Sequence, residues 1–305
     1  MLSHDPLWPR AGDWPAWAPG VHADAVVLGI PTCRTSLSPG QTHTTPAAIR
    51  DALRYYSADA LARPDGQHLV VLDAGDVLEP DGFGEAAAIA RVAEIASAAS
   101  LVIVLGGDNA ATVPAALGAW GARIGSAGLV TLDAHHDLRD GTSNGSPVRR
   151  LLEAGLAGAR VSQLGIEPLA NSAAYRARAQ QHGISVVTRA ELLRTPIEVA
   201  MSAALDRAAS AGGPVHVDLD LDVCDRSVAP GCSASVPGGI SALELRTAAR
   251  LAGAHPAVTS IDLTELDAER DTADQRTVRL AALCVLEALA GLASRRPSGE
   301  RGESL

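Results

Sequence analysis

The sequence contains no lysine, and all 25 of its basic residues are arginine, against 35 acidic residues. Without an amine side chain the protein has no Schiff-base nucleophile, no pyridoxal phosphate anchor, no P-loop lysine and no lysine general base. The formal net charge is −10, and no stripe of arginine reverses its sign locally. Because such a surface repels a phosphate backbone, we expect no nucleic acid partner.

Aromatic residues make up only 3% of the chain, so the core must be built from small aliphatic side chains. The cysteines follow no CxxC pattern, and we interpret them as mostly buried thiols in a reducing cytosol. No stretch approaches the roughly 18 to 20 uncharged apolar residues that span a bilayer, and the first residues do not resemble a secretion signal. We therefore expect a cytoplasmic protein with no membrane partner. The cysteines are Cys33, Cys224, Cys232 and Cys284.

Short apolar runs alternate with longer, alanine-rich amphipathic stretches, a pattern typical of βα units that build a parallel sheet. It predicts one α/β domain with three αβα layers and a mostly parallel eight-stranded sheet over residues 20–293. Residues 1–19 are expected to pack on that domain as an N-terminal extension, and residues 294–305 to form a flexible tail. The predicted strands are Ala25–Ile30, His68–Asp73, Leu101–Leu105, Gly128–Leu132, Arg160–Gly165, Ile184–Thr188, Val215–Leu221 and Val258–Leu263. The predicted helices are Pro46–Leu61, Gly84–Ala98, Ala110–Gly121, Ser172–Gln181, Pro196–Ala211, Ser241–Leu251 and Thr277–Leu292.

Acidic, amide and histidine side chains cluster where four of these strands end. In open α/β sheets this edge is where ligands bind, so segments distant in sequence can meet in one pocket. The clustered residues are Asn109 after the third strand, Asp133, His135 and Asp137 after the fourth, Asp220 and Asp222 at the end of the seventh, and Glu265 after the eighth.

The spacing of these residues points to a metal site. Residues at i, i+2 and i+4 of an extended segment project to one side, which would bring Asp133, His135 and Asp137 together, and likewise Asp220 and Asp222. Several carboxylates desolvated together need a cation, and oxygen ligands with one histidine suit Mn²⁺. Four carboxylates exceed the need of one ion and indicate a bridged pair. Loop capping or solvation would explain a single aspartate, but not the whole spaced set.

Four segments resemble the signature motifs of the ureohydrolase family, which includes arginase, agmatinase and formimidoylglutamase. They are GGDNA at 106–110, DAHHD at 133–137, DLDVCDRSVAPG at 220–231 and SIDLTELD at 260–267. The resemblance runs from about residue 25 to about residue 292. Three details are most similar to the formimidoylglutamase branch: Arg139 soon after the DAHHD motif, the stretch APGCSASVPGGI, and the run from Asp274 to Ala282.

The resemblance implies an oligomeric, two-manganese hydrolase of a formimino or guanidino C–N bond, with trimers or hexamers usual among relatives. Its activated water attacks a carbon that bears two or three nitrogens. The first expected substrate is N-formimino-L-glutamate, which would give L-glutamate and formamide in histidine breakdown. The implied metal ligands are Asp133 and Asp220 as bridges, Asp137 on one ion, and His135 and Asp222 on the other. Asp137 would also orient the nucleophile, and Glu265 would pair with the cationic nitrogens of the substrate.

Two positions depart from the family pattern. Asn109 stands where a histidine ordinarily binds one metal, so one ion is expected to bind weakly or to be absent. A metal-poor pseudoenzyme that acts as a binding subunit is therefore an alternative. Asn144 stands where guanidine-hydrolysing relatives often carry a histidine, which disfavours but leaves open an agmatinase or guanidino-acid hydrolase that releases urea.

A substrate of the amino-acid type needs a cation for its carboxylate. Arg139, beside the metal motif, is the predicted carboxylate ligand, and Asn144 is a further predicted substrate contact. The alternative role for Arg139 is structural neutralisation of Asp140 or Asp137.

Overall fold

The described part of the chain folds around a single sheet of eight parallel strands, as seen in a computed structural model that describes residue 5 and residues 7–295. The strands are β1 Ala23–Ile30, β2 Val71–Asp76, β3 Ala99–Gly106, β4 Gly128–Leu132, β5 Val161–Ile166, β6 Ser185–Thr188, β7 Val215–Asp220 and β8 Val258–Thr264. Their order across the sheet is β2-β1-β3-β8-β7-β4-β5-β6, and every pairing between neighbours is parallel. The predicted fold class is confirmed.

Helices cover both faces of the sheet. They are α1 Thr45–Leu53, α2 Glu85–Ala96, α3 Thr112–Trp120, α4 Pro147–Glu153, α5 Ala173–Gln181, α6 Arg189–Leu192, α7 Ile197–Ala208, α8 Ala242–Ala254 and α9 Arg276–Ala293. Buried side chains of α1, α7, α8 and α9 pack on one face, and those of α2, α3, α4 and α5 pack on the other. Both faces of the parallel strands are therefore buried, as such sheets require. None of the helices in the described residues is long and apolar enough to cross a membrane.

The core is made of small aliphatic side chains in strict alternation. On β1, Ala25 and Val27 belong to the cluster under α1, α8 and α9, whereas Val26 and Leu28 belong to the cluster under α2 and α3. Trp120 is one of the few rings among the fully buried side chains of the described residues. Three of the cysteines are buried and Cys33 is partly exposed, all four as free thiols.

The helix predicted to run from Pro46 to Leu61 ends earlier, because the N-terminal segment pairs with the chain that follows Leu53. The amide of Ala11 donates to the carbonyl of Tyr56 over 3.0 Å, and the amide of Ala58 donates to the carbonyl of Pro9 over 2.9 Å. These partners replace helical hydrogen bonds. Helices α4 and α6 were absent from the predicted set, although α6 begins with a complete capping box between Thr188 and Glu191.

The N-terminal extension lies against the sheet edge within the described residues. Trp17 is buried beside β1 and β2, and its backbone amide donates to the carbonyl of Asp73 over 2.8 Å. The division of the chain into extension, domain and tail remains a prediction, and the expected flexible tail lies outside the described residues from 296 onward.

The topology determines where a site can form. Strands β3, β8, β7 and β4 are neighbours in the middle of the sheet, and because all are parallel, their carboxyl ends meet at one edge. The polar segments identified from the sequence follow these four strands and so converge at that edge.

Candidate metal centre

A cavity of about 380 Å³ opens at the carboxyl edge of the central strands. It collects most of the residues singled out from the sequence. Among its lining residues are His135, Asp137, Arg139, Asn144, Asp220, Asp222 and Glu265. Asp133 and Asn109 lie just behind this lining, in contact with His135 and Asp137 respectively. The structure thus brings every sequence-predicted site residue to one place.

The tightest grouping of potential ligands is Asp133, His135 and Asp222, whose ligand atoms all lie within 4.8 Å of one another. Nδ1 of His135 is 2.9 Å from Oδ2 of Asp222 and 3.4 Å from Oδ1 of Asp133. Both carboxylates are buried, and the histidine is partly exposed toward the cavity. Two oxygen donors and one imidazole nitrogen, with the carboxylates of Asp137 and Asp220 beside them, fit a cation such as Mn²⁺.

The expected extended geometry of these segments is wrong, although the residues do converge. Strand β4 ends at Leu132, and the segment after it is a loop in which Asp137 has φ +53°. Strand β7 ends at Asp220, and Asp222 lies in a short 3₁₀ turn.

Hydrogen bonds inside these loops aim the side chains instead. Oδ1 of Asp133 accepts from the amide of His135 over 2.6 Å, and Oδ1 of Asp220 accepts from the amide of Asp222 over 2.8 Å. Oδ1 of Asp222 in turn accepts from the amide of Ala134 over 3.1 Å and joins the two loops.

The buried carboxylates of this cluster repel one another, and a positive charge among them would lower the free energy of their ionised forms. Burial, reinforced by Asp222, raises the pKa of Asp133 to about 6. Burial together with neighbouring carboxylates also raises the pKa values of Asp137 and Asp220 well above the ordinary range. Burial lowers the pKa of His135, but the adjacent Asp222 and Asp133 outweigh it and raise that pKa to about 12. A bound cation would relieve the mutual repulsion of these carboxylates.

Asn109 makes hydrogen bonds at both ends of its buried side-chain amide. Nδ2 donates to Oδ2 of Asp137 over 2.6 Å, while Oδ1 accepts from the hydroxyls of Thr112 over 2.5 Å and Thr264 over 3.3 Å. The nitrogen end therefore faces the carboxylates, and an N–H donor does not bind a cation. The two threonines were not among the sequence-predicted residues; Thr112, three positions after Asn109, was the one that local spacing could have suggested.

Glu265 is held by two donors on the same oxygen. Oε1 accepts from the backbone amide of Asn109 over 2.8 Å and from Nδ2 of Asn144 over 2.7 Å. Burial, with a contribution from Asp108, raises the pKa of Glu265 to about 8. Asn144 thus positions the glutamate as well as lining the cavity.

The backbone at the site is strained in two places. Asp137, with φ +53°, and Glu265, with φ +63°, are two of four non-glycine residues with positive φ among those described. Such conformations cost free energy and concentrate at functional sites. Gly107, whose carbonyl accepts from the amide of Glu265 over 3.0 Å, allows the close approach of the Thr32 loop, because a Cβ at this position would lie 2.0 Å from the carbonyl oxygen of Thr32.

Arg139 lies exposed along the cavity wall, with its side chain against Gly145. Within the described residues its guanidinium has no hydrogen-bond or ion-pair partner. Asp140 pairs with Arg178 at 2.8 Å, not with Arg139. Neither structural role considered for Arg139 is seen: Asp140 pairs with Arg178, and Asp137 accepts from Asn109. The guanidinium can therefore meet a ligand.

Asn171 is a site residue that the sequence did not reveal. Its Oδ1 accepts from the backbone amide of His136 over 3.0 Å, and its Nδ2 donates to the carbonyl of Ala134 over 2.8 Å. It lines the cavity and holds the loop that carries His135. It lies 35 residues beyond His136 in a loop with no motif of its own, so no sequence signal connected the two.

A parallel α/β sheet with a buried cluster of carboxylates and one histidine at its strand ends is the arrangement of a metal-dependent enzyme. The chain matches the family model described as the arginase family over residues 23–291. It therefore belongs to the arginase family, and the resemblance drawn from its motifs is confirmed.

Several formimidoylglutamases are similar to this chain. The enzyme of Halalkalibacterium halodurans is 31% identical over 281 residues, which cover 87% of this chain and 86% of that protein. The crystal structure of formimidoylglutamase from Bacillus subtilis has a TM-score of 0.87 and 28% identity, and covers 96% of this chain and 94% of that chain. Trypanosoma cruzi formiminoglutamase crystallised with Mn²⁺ has a TM-score of 0.79 and 26% identity, and covers 90% of this chain and 95% of that chain.

Proposed function

We propose that the protein is a manganese-dependent formimidoylglutamase, which hydrolyses N-formimino-L-glutamate to L-glutamate and formamide. The single observation that carries the proposal is the pairing of opposite charges within one cavity. The acidic metal cluster and Glu265 line the same cavity as Arg139, whose guanidinium has no protein partner within the described residues. A substrate with a cationic formimino group and anionic carboxylates matches this arrangement. The similarity to formimidoylglutamases supports the same choice.

Five residues would hold the manganese, with two ions expected and one of them weakly bound. They are Asp133, His135, Asp137, Asp220 and Asp222. The weaker ion follows from Asn109, which donates a hydrogen bond to Asp137 instead of offering a ligand atom. When bound, the cations supply an activated water as the nucleophile.

The remaining chemistry belongs to the protein side chains. Glu265, held by Asn109 and Asn144, binds the formimino nitrogens and fixes the reacting carbon beside the cluster. Asp137, locked by Asn109, orients the attacking water. The substrate carbon gains the water oxygen, its bond to the glutamate nitrogen breaks, and that nitrogen leaves as an ammonium that carries the two protons of the water. Arg139 binds a carboxylate of the substrate at the other part of the cavity.

The test is a product panel with the Mn²⁺-loaded protein. N-formimino-L-glutamate, agmatine and a guanidino acid are incubated separately, and formamide, urea, ammonia and glutamate are quantified. Formamide and glutamate in equal amounts from the first substrate are expected. Urea from agmatine without formamide from formiminoglutamate would overturn the proposal in favour of a guanidine ureohydrolase. No product with excess Mn²⁺, together with turnover in Asn109→His, would favour the pseudoenzyme.

The cellular setting is part of the same proposal. We infer a cytoplasmic homo-oligomer, a trimer or hexamer, that acts on a small molecule in histidine breakdown and has no nucleic acid or membrane partner. The support is the acidic net charge of −10 and the resemblance to the family. Sedimentation of the purified protein would test its assembly.

A further inference from the structure

A second cavity lies on the opposite side of the loop that carries the metal ligands. His135 and Asp137 line the first cavity, whereas His136, between them, lines the second. The second cavity has a volume of about 260 Å³ and lies beside β5, β6 and α5. Its wall includes the apolar side chains of Ile166, Ala179 and Val186. None of the residues that line the second cavity takes part in the proposed hydrolysis.

His136 has one hydrogen-bonded nitrogen and one without a partner. Its side chain is only 1% exposed, and Nδ1 lies 2.7 Å from Oε1 of Gln163. Nε2 of Gln163 donates to the carbonyl oxygen of His136 over 3.0 Å, which fixes the orientation of that amide. Because the glutamine presents its oxygen to the ring, Nδ1 of His136 carries the hydrogen. Nε2 of the neutral ring is then an acceptor.

Nε2 of His136 is buried and has no hydrogen-bond partner among the described residues. A buried acceptor that leaves water without a new donor costs free energy, so such groups are normally paired. The charged groups that line this cavity, Arg176 and Glu191, have opposite signs, so the cavity does not favour an ion of either sign. Thr188 and Glu191 are hydrogen-bonded to each other, so the buried acceptor lies beside the apolar wall together with the side chains of Gln180 and Arg176.

We propose that this second cavity binds a small neutral molecule with one O–H or N–H donor on an apolar ring, such as a phenol or an indole. The donor bonds to Nε2 of His136, and the ring packs on Ile166, Ala179 and Val186. The site has no lining residue in common with the metal centre. Asn171, which lines the first cavity, accepts from the backbone amide of His136.

The test compares phenol with toluene, which has a similar ring and no donor. Binding of each to the Mn²⁺-loaded full chain is measured by calorimetry or saturation-transfer NMR. A net hydrogen bond of about 0.5 to 1.5 kcal/mol corresponds to a preference for phenol of about 2-fold to 10-fold. The measurement does not depend on turnover, so it stays informative if the proposed hydrolysis is wrong.

A substitution at His136 tests whether the preference for phenol over toluene depends on Nε2 of that residue. His136→Phe keeps a ring but removes the acceptor, and phenol and toluene should then bind equally. His22→Phe, at an exposed histidine outside the cavity, should keep the preference for phenol. Equal affinities in the unaltered protein, no binding of either probe, or a preference that survives in His136→Phe would each overturn the proposal. The comparison within the unaltered protein decides the matter even if His136→Phe does not fold.

Discussion

Nδ2 of Asn109 donates a 2.6 Å hydrogen bond to Oδ2 of Asp137, and the hydroxyls of Thr112 and Thr264 hold the other end of the same amide. Rotation of the amide would break these contacts and place two oxygens face to face. The amide therefore stays a donor toward the cluster. This relationship supports the proposal that one cation position is weak, and it leads to the first prediction.

Asn109→His should increase the manganese that the protein retains. An imidazole nitrogen is a ligand, whereas the amide nitrogen is not, so affinity at the weaker position should rise by about tenfold or more. Mn²⁺ per chain is counted by elemental analysis after dialysis, and the dissociation constant is measured by titration. Asn109→Ala, which removes the hydrogen bond without adding a ligand, is the matched control and should not gain metal. Equal retention in both variants would show that position 109 does not limit metal binding.

At pH 9, above the pKa of about 8 that burial gives Glu265, Glu265→Gln should reduce kcat/KM by about 10-fold to 100-fold with the fold intact. The substitution keeps the oxygen that accepts from Asn109 and Asn144 but removes the charge, and a hydrogen bond to a charged group is worth about 1.5 to 3 kcal/mol. Steady-state formamide release measures the effect. Glu269→Gln, at an exposed glutamate four positions further on, should leave the rate unchanged. A fully active Glu265→Gln would exclude a role for the charge.

Arg139→Ala should raise KM by about tenfold while kcat changes less, since the guanidinium binds a remote carboxylate and not the reacting carbon. Arg91→Ala, on α2 with Glu94 as its ion-pair partner, is a matched control away from the cavity. A substrate analogue without the α-carboxylate shows whether Arg139 acts by binding that carboxylate or by some other effect on the site. If Arg139 binds that group, the variant and the unaltered protein should process the analogue equally well. A loss of the same size with both substrates would place the effect elsewhere.

Asp108→Asn should stabilise the metal-free protein more at pH 8 than at pH 5. Burial raises the pKa of Asp108 from its ordinary 3.8 to about 6 in the folded state. The folded state therefore binds the Asp108 proton more tightly than the unfolded state does. Protonation of Asp108 stabilises the folded state fully below pH 4, and this stabilisation is lost as the pH rises through about 6. Asparagine cannot ionise, so the variant does not lose this stability at high pH.

The difference in unfolding free energy between Asp108→Asn and the unaltered protein should grow by about 1.5 kcal/mol from pH 5 to pH 8. Urea unfolding at both pH values in the presence of a chelator measures it. Asp206→Asn, at an exposed position, is the control and should show no such growth. A constant difference across the two pH values would mean that Asp108 is ionised at both.

The fold could be predicted largely from the sequence because its signal is local and repeated. Each predicted strand overlaps an observed one, as Gly128–Leu132 does in full, since both faces of a parallel sheet are buried. The second strand is displaced, from the predicted His68–Asp73 to Val71–Asp76. The end of α1 at Leu53 could not be predicted, because it depends on pairing with Ala11, about 40 residues earlier. Tertiary contacts there override a continuing helical pattern.

The sequence could predict which residues form the site, but not the backbone geometry that orients them. Motifs placed Asp133 and Asp222 at strand ends, and the topology then forced them together. The assumption of an extended backbone was wrong, since a positive φ at Asp137 and a 3₁₀ turn at Asp222 direct the side chains. Asn171 and Thr264 act through contacts that only the folded chain brings about.

The proposed metal ligands follow two neighbouring strands that are far apart in the chain: Asp222 accepts from the amide of Ala134, which lies 88 positions earlier. The unfolded chain does not hold these two segments together, because closing so long a loop costs entropy. Manganese bound at this site, as proposed, would favour the native state over the unfolded chain, and more strongly as the metal concentration rises. We expect the lifetime of the protein in the cell, and with it the abundance of the protein, to follow manganese supply, so that nutrient metal sets how much enzyme exists as well as how fast it works.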